Sequence, residues 1–283
     1  MIKALIIIIL SLVIFGSAGY FTYELVFRPK LELEAERNAP PTPTPTPPPD
    51  HSVPEYRKIR MIKESGDLVA ARKAYLNFLE TYPYSTVADK AKKDLGEVNT
   101  DIIFSQYEDP EKVEYIVKSG DTLNRIASRT GSNTELIMRS NNLETILINI
   151  GDRLLVPKPD FSLTVDREEK TVTLYNTGNF FKEYAVQEWK LPEKKGSVHS
   201  QGEVREKIAW RDGKRLRIGD QEYSGSARWV MTSLPGLTFY SSRSKETTEG
   251  QQIDIPPAGL GLSFSDMDEI AVLVTRGTPV TLE

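Results

Sequence analysis

The chain of 283 residues has no cysteine and only two histidines, His51 and His199. The missing thiol excludes disulfides, thiolate nucleophiles, zinc-thiolate sites and a lipidated cysteine together. With so few imidazoles, a transition-metal site would rest on carboxylates alone, and no spacing of them suggests one. No metal and no cofactor are expected. A basic block is missing too: 36 Lys and Arg are interspersed with 40 Asp and Glu, for a formal charge of -4. Nothing in that pattern tracks phosphates, so nucleic acid is not an expected partner.

What is present begins with an uncharged run. Residues 4 to 23, ALIIIILSLVIFGSAGYFTY, lie between Lys3 and Glu24. About 20 apolar residues span a hydrocarbon core roughly 30 Å thick, which predicts a transmembrane helix. The competing reading is a cleaved signal peptide, with Lys3 as its charged start and Gly16, Ser17, Ala18 and Gly19 as the small-residue cut site. Lys3 faces Arg28 and Lys30 across the span, so charge alone does not orient it. Residues 1 to 30 are therefore read as an anchor or signal, and the membrane as a partner through this helix.

Residues 31 to 52 read as a linker built on PPTPTPTPPP at 40 to 49. This tract predicts an extended polyproline-like spacer, about 3.1 Å per residue and roughly 31 Å in all. A disordered linker with no distance requirement would have the same composition. From 53 to 108 the period is helical. Gly66 and Asp67 read as a turn, Val69, Ala70, Tyr75, Phe78 and Leu79 share one side of a helix stopped by Pro83, and Ser85 is placed to cap the next. Gly66, Ala71, Tyr75, Phe78 and Pro83 resemble the second half of a tetratricopeptide repeat. With a single unit visible, the expectation is a helical hairpin packed on its neighbours, either binding a protein partner of the envelope or acting as a spacer or docking element.

The segment 113 to 158 carries the strongest pattern. Tyr115 and Val117 alternate as a strand, Gly120 and Asp121 turn the chain, and Asp121 or Thr122 is suited to cap a helix holding Leu123, Ile126 and Ala127. Gly131 ends that helix, Ser132 and Glu135 have capping-box spacing for a second with Leu136 and Ile137, and a strand at Leu154 to Val156 stops at Pro157. The order is β, α, α, β.

The run Gly120-Asp121-Thr122-Leu123, with Ile126, Ala127, Gly131, Ile137, Asn141, Ile148, Gly151 and Pro157, resembles the LysM family. The resemblance implies binding of N-acetylglucosamine-containing chains, peptidoglycan in bacteria, in a shallow groove between two loops. Carried onto this sequence, the expected glycan-binding residues are Gly120, Asp121, Thr122 and Leu123 from one loop and Asn142, Leu143, Ile146 and Leu147 from the other. A neutral acetamido sugar needs backbone hydrogen-bonding groups and an apolar wall, which Gly120 and Leu143, Ile146 and Leu147 could supply. Turn and cap duties explain Asp121 equally well.

From 159 to 283 the period becomes two. Leu163 and Val165, Val172 and Leu174, and Phe180 to Val186 read as hairpin strands about Asn176, Thr177 and Gly178. Runs at 215 to 218, 229 to 231, 237 to 240 and 271 to 275 continue the pattern, and His199 falls in a polar, looped stretch. A mostly β domain is expected, making the chain a multidomain α+β protein. LTVDREEKTVTLYNTGNFFKEYAV, GSARWVMTSLPGLTFY and SDMDEIAVLVTRGTPVTL are similar to the L,D-transpeptidase catalytic domain. That family needs a thiolate and a histidine in a Ser-His-Gly-Cys run, with a second histidine upstream. The matching positions hold Gly259 for the cysteine, Pro257 for its histidine and Tyr240 for the upstream histidine.

The expectation is a non-catalytic, membrane-tethered peptidoglycan-binding protein of the bacterial envelope, extracytoplasmic, or secreted if the signal is cleaved. A wall-modifying enzyme and a scaffold for an envelope protein are the alternatives. Ser263, Ser265 and His199 are the groups from which catalysis would have to be rebuilt.

Overall fold

The computed structural model describes residues 12–13, 15–30, 51–191, 199–242 and 255–283. The chain divides into two compact units, Met1–Pro49 and Asp50–Glu283. In the first, residues 15–30 are helical and include a π-helical turn, Tyr23–Phe27. The expected span at 4 to 23 lies partly, and the proline tract at 40 to 49 wholly, outside the described residues. Among the described residues no helix is long and apolar enough to cross a membrane.

The second unit is mixed α+β, with helices first and a mostly β half after them. Three helices open it: α1 (Ser52–Glu64), α2 (Leu68–Thr81) and α3 (Ala88–Ile103). The sequence suggests a hairpin, but α1 adds a third member because Ile59 reaches the same core as Ala71, Tyr75, Phe78 and Leu95. Asp67 caps α2 by accepting from the Ala70 amide at 3.0 Å. Ser85 does not cap α3. Its hydroxyl accepts from the Val87 amide and from Ser52, both at 3.0 Å, and Val87 takes the cap position without a side-chain bond. Tyr56 and Tyr75 both donate to the Asp94 carboxylate, at 2.7 and 3.0 Å.

The next segment is β1 (Lys112–Ile116), α4 (Leu123–Thr130), α5 (Thr134–Ser140) and β2 (Arg153–Pro157). β1 and β2 pair antiparallel with Tyr115 opposite Leu154. Thr122 caps α4, and Gly131 closes it in the left-handed conformation at φ 74°. The Ser132–Glu135 capping box does not form. Asn133 caps α5 instead, accepting from the Leu136 amide at 2.9 Å, because Glu135 turns away to buried cations described below. Val117, Leu123, Ile126, Ala127, Ile137, Leu154 and Val156 make a small core.

The remainder builds one ten-stranded sheet in the order β5-β4-β3-β12-β7-β9-β10-β11-β6, with β8 paired to β7. In chain order these strands are β3 (Phe161–Asp166), β4 (Thr171–Asn176), β5 (Asn179–Ala185), β6 (Glu188–Lys190), β7 (Ser200–Arg211), β8 (Lys214–Leu216), β9 (Ala227–Thr232), β10 (Thr238–Ser241), β11 (Gly259–Leu262) and β12 (Pro279–Leu282). β3 buries every second residue from Phe161 to Val165, as its alternation requires. Two sequence readings are corrected. Most of 271 to 275 belongs to a helix, α6 (Phe264–Leu273): Ser263 caps it, and Met267, Ile270 and Ala271 bury one face at helical spacing. The stretch after His199 is a long strand, β7; a shift of register between Val204 and Glu206 breaks its alternation and hides it from a period-two reading.

The segments pack as one body. Asn99 of α3 donates to the Phe181 carbonyl of β5 at 2.8 Å, and Lys112 donates to the carbonyls of Ile102, Ser105 and Tyr107 at the end of α3. Leu136 of α5 is fully buried in the core of the β half, Asn133 donates to the Val272 carbonyl at 2.9 Å, and Arg139 meets Asp268 at 2.7 Å. Truncating a side chain buried like Leu136 costs roughly 2–5 kcal/mol, so the β1–β2 module is an integral part of this unit.

Candidate functional site

The loop after β1 is fixed by Asp121. Its carboxylate accepts from the Lys118 amide at 2.9 Å, the Tyr115 hydroxyl at 2.8 Å and Arg129 at 2.8 Å. The Lys118 amide foremost, then the Tyr115 hydroxyl and Arg129, hold this carboxyl below the ordinary 3.8. Only 3% of the side chain is exposed, so its oxygens serve the turn. Gly120 stands beside it at φ 80°, exposed, with its carbonyl accepting from Arg125. Thr122 accepts from the Arg125 amide at 3.3 Å, and Leu123 is buried beneath it.

The facing loop hangs from Asn141, which donates to the carbonyls of Ile137 and Leu155 and accepts from the Leu155 amide, each at 2.8 Å. Asn142 follows at φ 52°. Leu143 and Ile148 then tuck against the module's core, while Ile146 is 47% and Leu147 79% exposed. An apolar side chain that exposed has no packing role on its own module, in contrast to Leu143.

Between the loops lies a hollow of about 310 Å³, with Asp121, Thr122, Leu123, Ile146 and Leu147 on its walls. The structure thus gathers five of the eight residues expected there. Gly120 sits at the adjoining turn, and Asn142 and Leu143 support the loop from outside the hollow. Sequence reasoning missed Asn124, Thr134 and Ile218. Thr134 donates to the Asn124 side-chain oxygen at 2.6 Å, which leaves the amide nitrogen of that residue for a ligand. Ile218 comes from the loop after β8, some seventy residues away in sequence, and no local pattern announces it.

The three positions matched to catalytic groups lie on and before β10 and β11, outside the hollow. β10 and β11 run parallel with Tyr240 opposite Gly261, and Gly259 opens β11 at φ 140°. A Cβ at 259 would fall 2.1 Å from the Thr238 carbonyl oxygen. Tyr240 is fully buried and donates to Glu188 at 3.1 Å, with Lys190 5.3 Å over its ring and paired to Glu188 at 2.8 Å. Burial raises its phenol pKa. Pro257 is exposed two residues ahead of β11. Ser263 accepts from the Asp266 amide as the cap of α6 and donates to the Asp266 carboxylate at 2.6 Å, with Ser265 3.2 Å away. His199 is exposed at the start of β7, 3.8 Å from Glu283. Among the described residues no group of three or more His, Asp and Glu could hold a metal ion.

Residues 115–157 match the model of the LysM domain. No curated protein matches the sequence. Among solved structures the chain is similar to L,D-transpeptidase 1 of Mycobacterium tuberculosis at 11% identity and a TM-score of 0.29, covering 46% of this chain and 77% of that one. It is similar to an L,D-transpeptidase from Mycobacterium smegmatis at 10% and 0.30, covering 61% and 92%, and to one from Stackebrandtia nassauensis at 14% and 0.29, covering 44% and 55%. The segment that holds the two loops and the hollow is thus the one similar to the LysM domain.

Proposed function

We propose that this protein is a non-catalytic peptidoglycan-binding protein of the bacterial envelope, holding N-acetylglucosamine-containing glycan between the loops at 120–123 and 142–148. The observation that carries the reading is Leu147, 79% exposed beside Ile146 over a hollow walled by Thr122 and Asn124, within the segment matched to LysM. An apolar wall facing the side-chain amide nitrogen of Asn124, whose oxygen is held by Thr134, suits the flat face and acetamido group of a neutral sugar. One small hollow gives modest affinity, which many copies on one wall would raise by avidity.

The non-catalytic half of the reading rests on the absence of cysteine from the chain and on the backbone at Gly259. Nothing beside the capping hydroxyl of Ser263 offers it a histidine base: His51 begins α1 and His199 begins β7. The apolar run at 4–23 supports attachment to the membrane with the rest of the chain extracytoplasmic. The three N-terminal helices bury their side chains in one another and against β5, which favours a docking element over a partner-binding one.

Co-sedimentation of the chain, without residues 1–30, with purified sacculi tests the reading. Deleting 114–158 would take Leu136 and Glu135 out of the main body, so a surface substitution is the cleaner probe. The chain should pellet with sacculi, and Leu147→Asp should leave most of it in the supernatant with an unchanged melting curve. Pelleting of Leu147→Asp at the wild-type level would refute the groove.

A further inference from the structure

The hollow beneath Leu147 does not end at the module. Asn124 and Ile218 line it and also line a second hollow of about 370 Å³, whose other walls include Lys207, Arg217, Tyr223 and Arg228 of the β half and the carboxylate of Glu135 from the module. The loop carrying Ile218 lies against the groove: a Cβ on Gly219 would sit 3.6 Å from Cδ1 of Ile146. The two hollows share a wall at Asn124 and Ile218, so a ligand seated in the first has the second beside it.

Across that shared wall the chemistry changes from apolar to cationic. Arg228, 4% exposed, pairs with Glu135 and Asp268, each at 3.2 Å, and stacks 4.1 Å from the Tyr223 ring. Lys207 donates to the Ala271 carbonyl at 2.6 Å and reaches Glu135 at 3.3 Å, with a quarter of its side chain open. Arg139 shares Asp268 at 2.7 Å. Lys207, Arg228 and Arg139 are therefore balanced by two carboxylates, leaving one positive charge over. Arg217 stands at the rim: the Asp220 carboxylate accepts from its backbone amide at 2.7 Å and offsets its charge, while its side chain is exposed and pairs with no carboxylate among the described residues, so the excess stays at one. Burial pulls the Lys207 ammonium pKa down while Glu135 opposes it, and an incoming anion would oppose it further. Lys207, held in place by the fold, loses little freedom on meeting an anion, while Arg217 at the exposed rim attracts it through solvent, where salt screens.

We propose, resting on the glycan reading of the first hollow, that the second hollow receives a carboxylate carried by the glycan, so that the protein prefers carboxylate-substituted strands to neutral N-acetylglucosamine polymer. Alternate sugars of peptidoglycan bear a lactyl ether, which presents either its own carboxylate or a peptide with carboxylates. An apolar sugar site adjoining a cationic one fits a strand of that kind, whereas a neutral polymer would use the first hollow alone.

The test is calorimetric titration of the chain from residue 51 with three probes of equal length: N-acetylglucosamine oligomer, amidase-stripped strands with free lactyl carboxylates, and stem-bearing strands. The expected result is a preference of about tenfold for one or both of the charged probes, weakening with salt. Which charged probe gains identifies the source of the carboxylate. Arg217→Glu should abolish the preference while leaving the neutral oligomer within about twofold of wild type. Lys207→Met, which leaves Glu135 paired to Arg228, should act in the same direction. Equal affinity for all three probes, or a preference that survives Arg217→Glu, overturns the inference and leaves the glycan groove standing. Binding of none of the three overturns both.

Discussion

Two regions of one body are built in opposite ways. The groove at 120–148 holds its loops apart with side chains committed to structure, Asp121 on one side and Asn141 on the other, and leaves Ile146 and Leu147 facing solvent. The β10–β11 pair, where the matched catalytic positions fall, is filled: the Tyr240 ring is fully buried with its hydroxyl on Glu188, and Gly259 brings backbone against backbone at Thr238. Exposed apolar surface has a cost in water and is explained by a ligand, while a filled region is explained by packing. On the proposed reading, binding belongs to the first region and stability to the second.

The most severe way to break this contrast is to put the thiol back. Gly259→Cys places a side chain at φ 140° against the Thr238 carbonyl and should destabilise the protein by about 3 kcal/mol or more, seen as a lower denaturant midpoint. It should yield no turnover of stem peptides even when combined with Pro257→His. Turnover at a measurable rate would show that the filled region had stayed ready for chemistry. A milder probe is Tyr240→Phe, which removes the bond to Glu188 and should cost about 1 kcal/mol in stability with no change in glycan binding. Reduced binding at constant stability would mean that the filled region takes part in recognition.

The gentlest probe concerns pH. The Asp121 pKa is depressed in the folded state, so its stabilisation is full above the unfolded value of 3.8 and is lost as pH falls from there through the folded pKa. Thermal melts below about pH 4 should therefore fall less steeply for Asp121→Asn than for wild type. Parallel slopes would remove Asp121 from the electrostatics of the groove turn.

The contrast also marks how far a sequence can be read. The βααβ order, Thr122 as cap and Gly131 as terminator are visible because each depends on neighbours within about five residues. Leu147 and Leu143 look alike in sequence; which faces solvent is decided by how the loop hangs from Asn141, a bond made to strand β2. Glu135 has capping-box spacing with Ser132, yet long-range pairing with Arg228 outweighs it and Asn133 takes the cap. The end of α6 reads as a strand because Ala271 to Val274 is apolar throughout, and the helix shows only when the segment is read from its cap at Ser263 through Met267 and Ile270. Ile218 and the cationic hollow behind it could not be seen at all, since the β half supplies them from a distant loop.

The central claim, that binding belongs to the open groove and not to the filled β10–β11 region, is tested most directly by sacculus co-sedimentation of Leu147→Asp and Tyr240→Phe side by side at equal folded fraction. Loss of pelleting by Leu147→Asp with wild-type pelleting by Tyr240→Phe is the predicted result. Retention by Leu147→Asp together with loss by Tyr240→Phe would contradict the account.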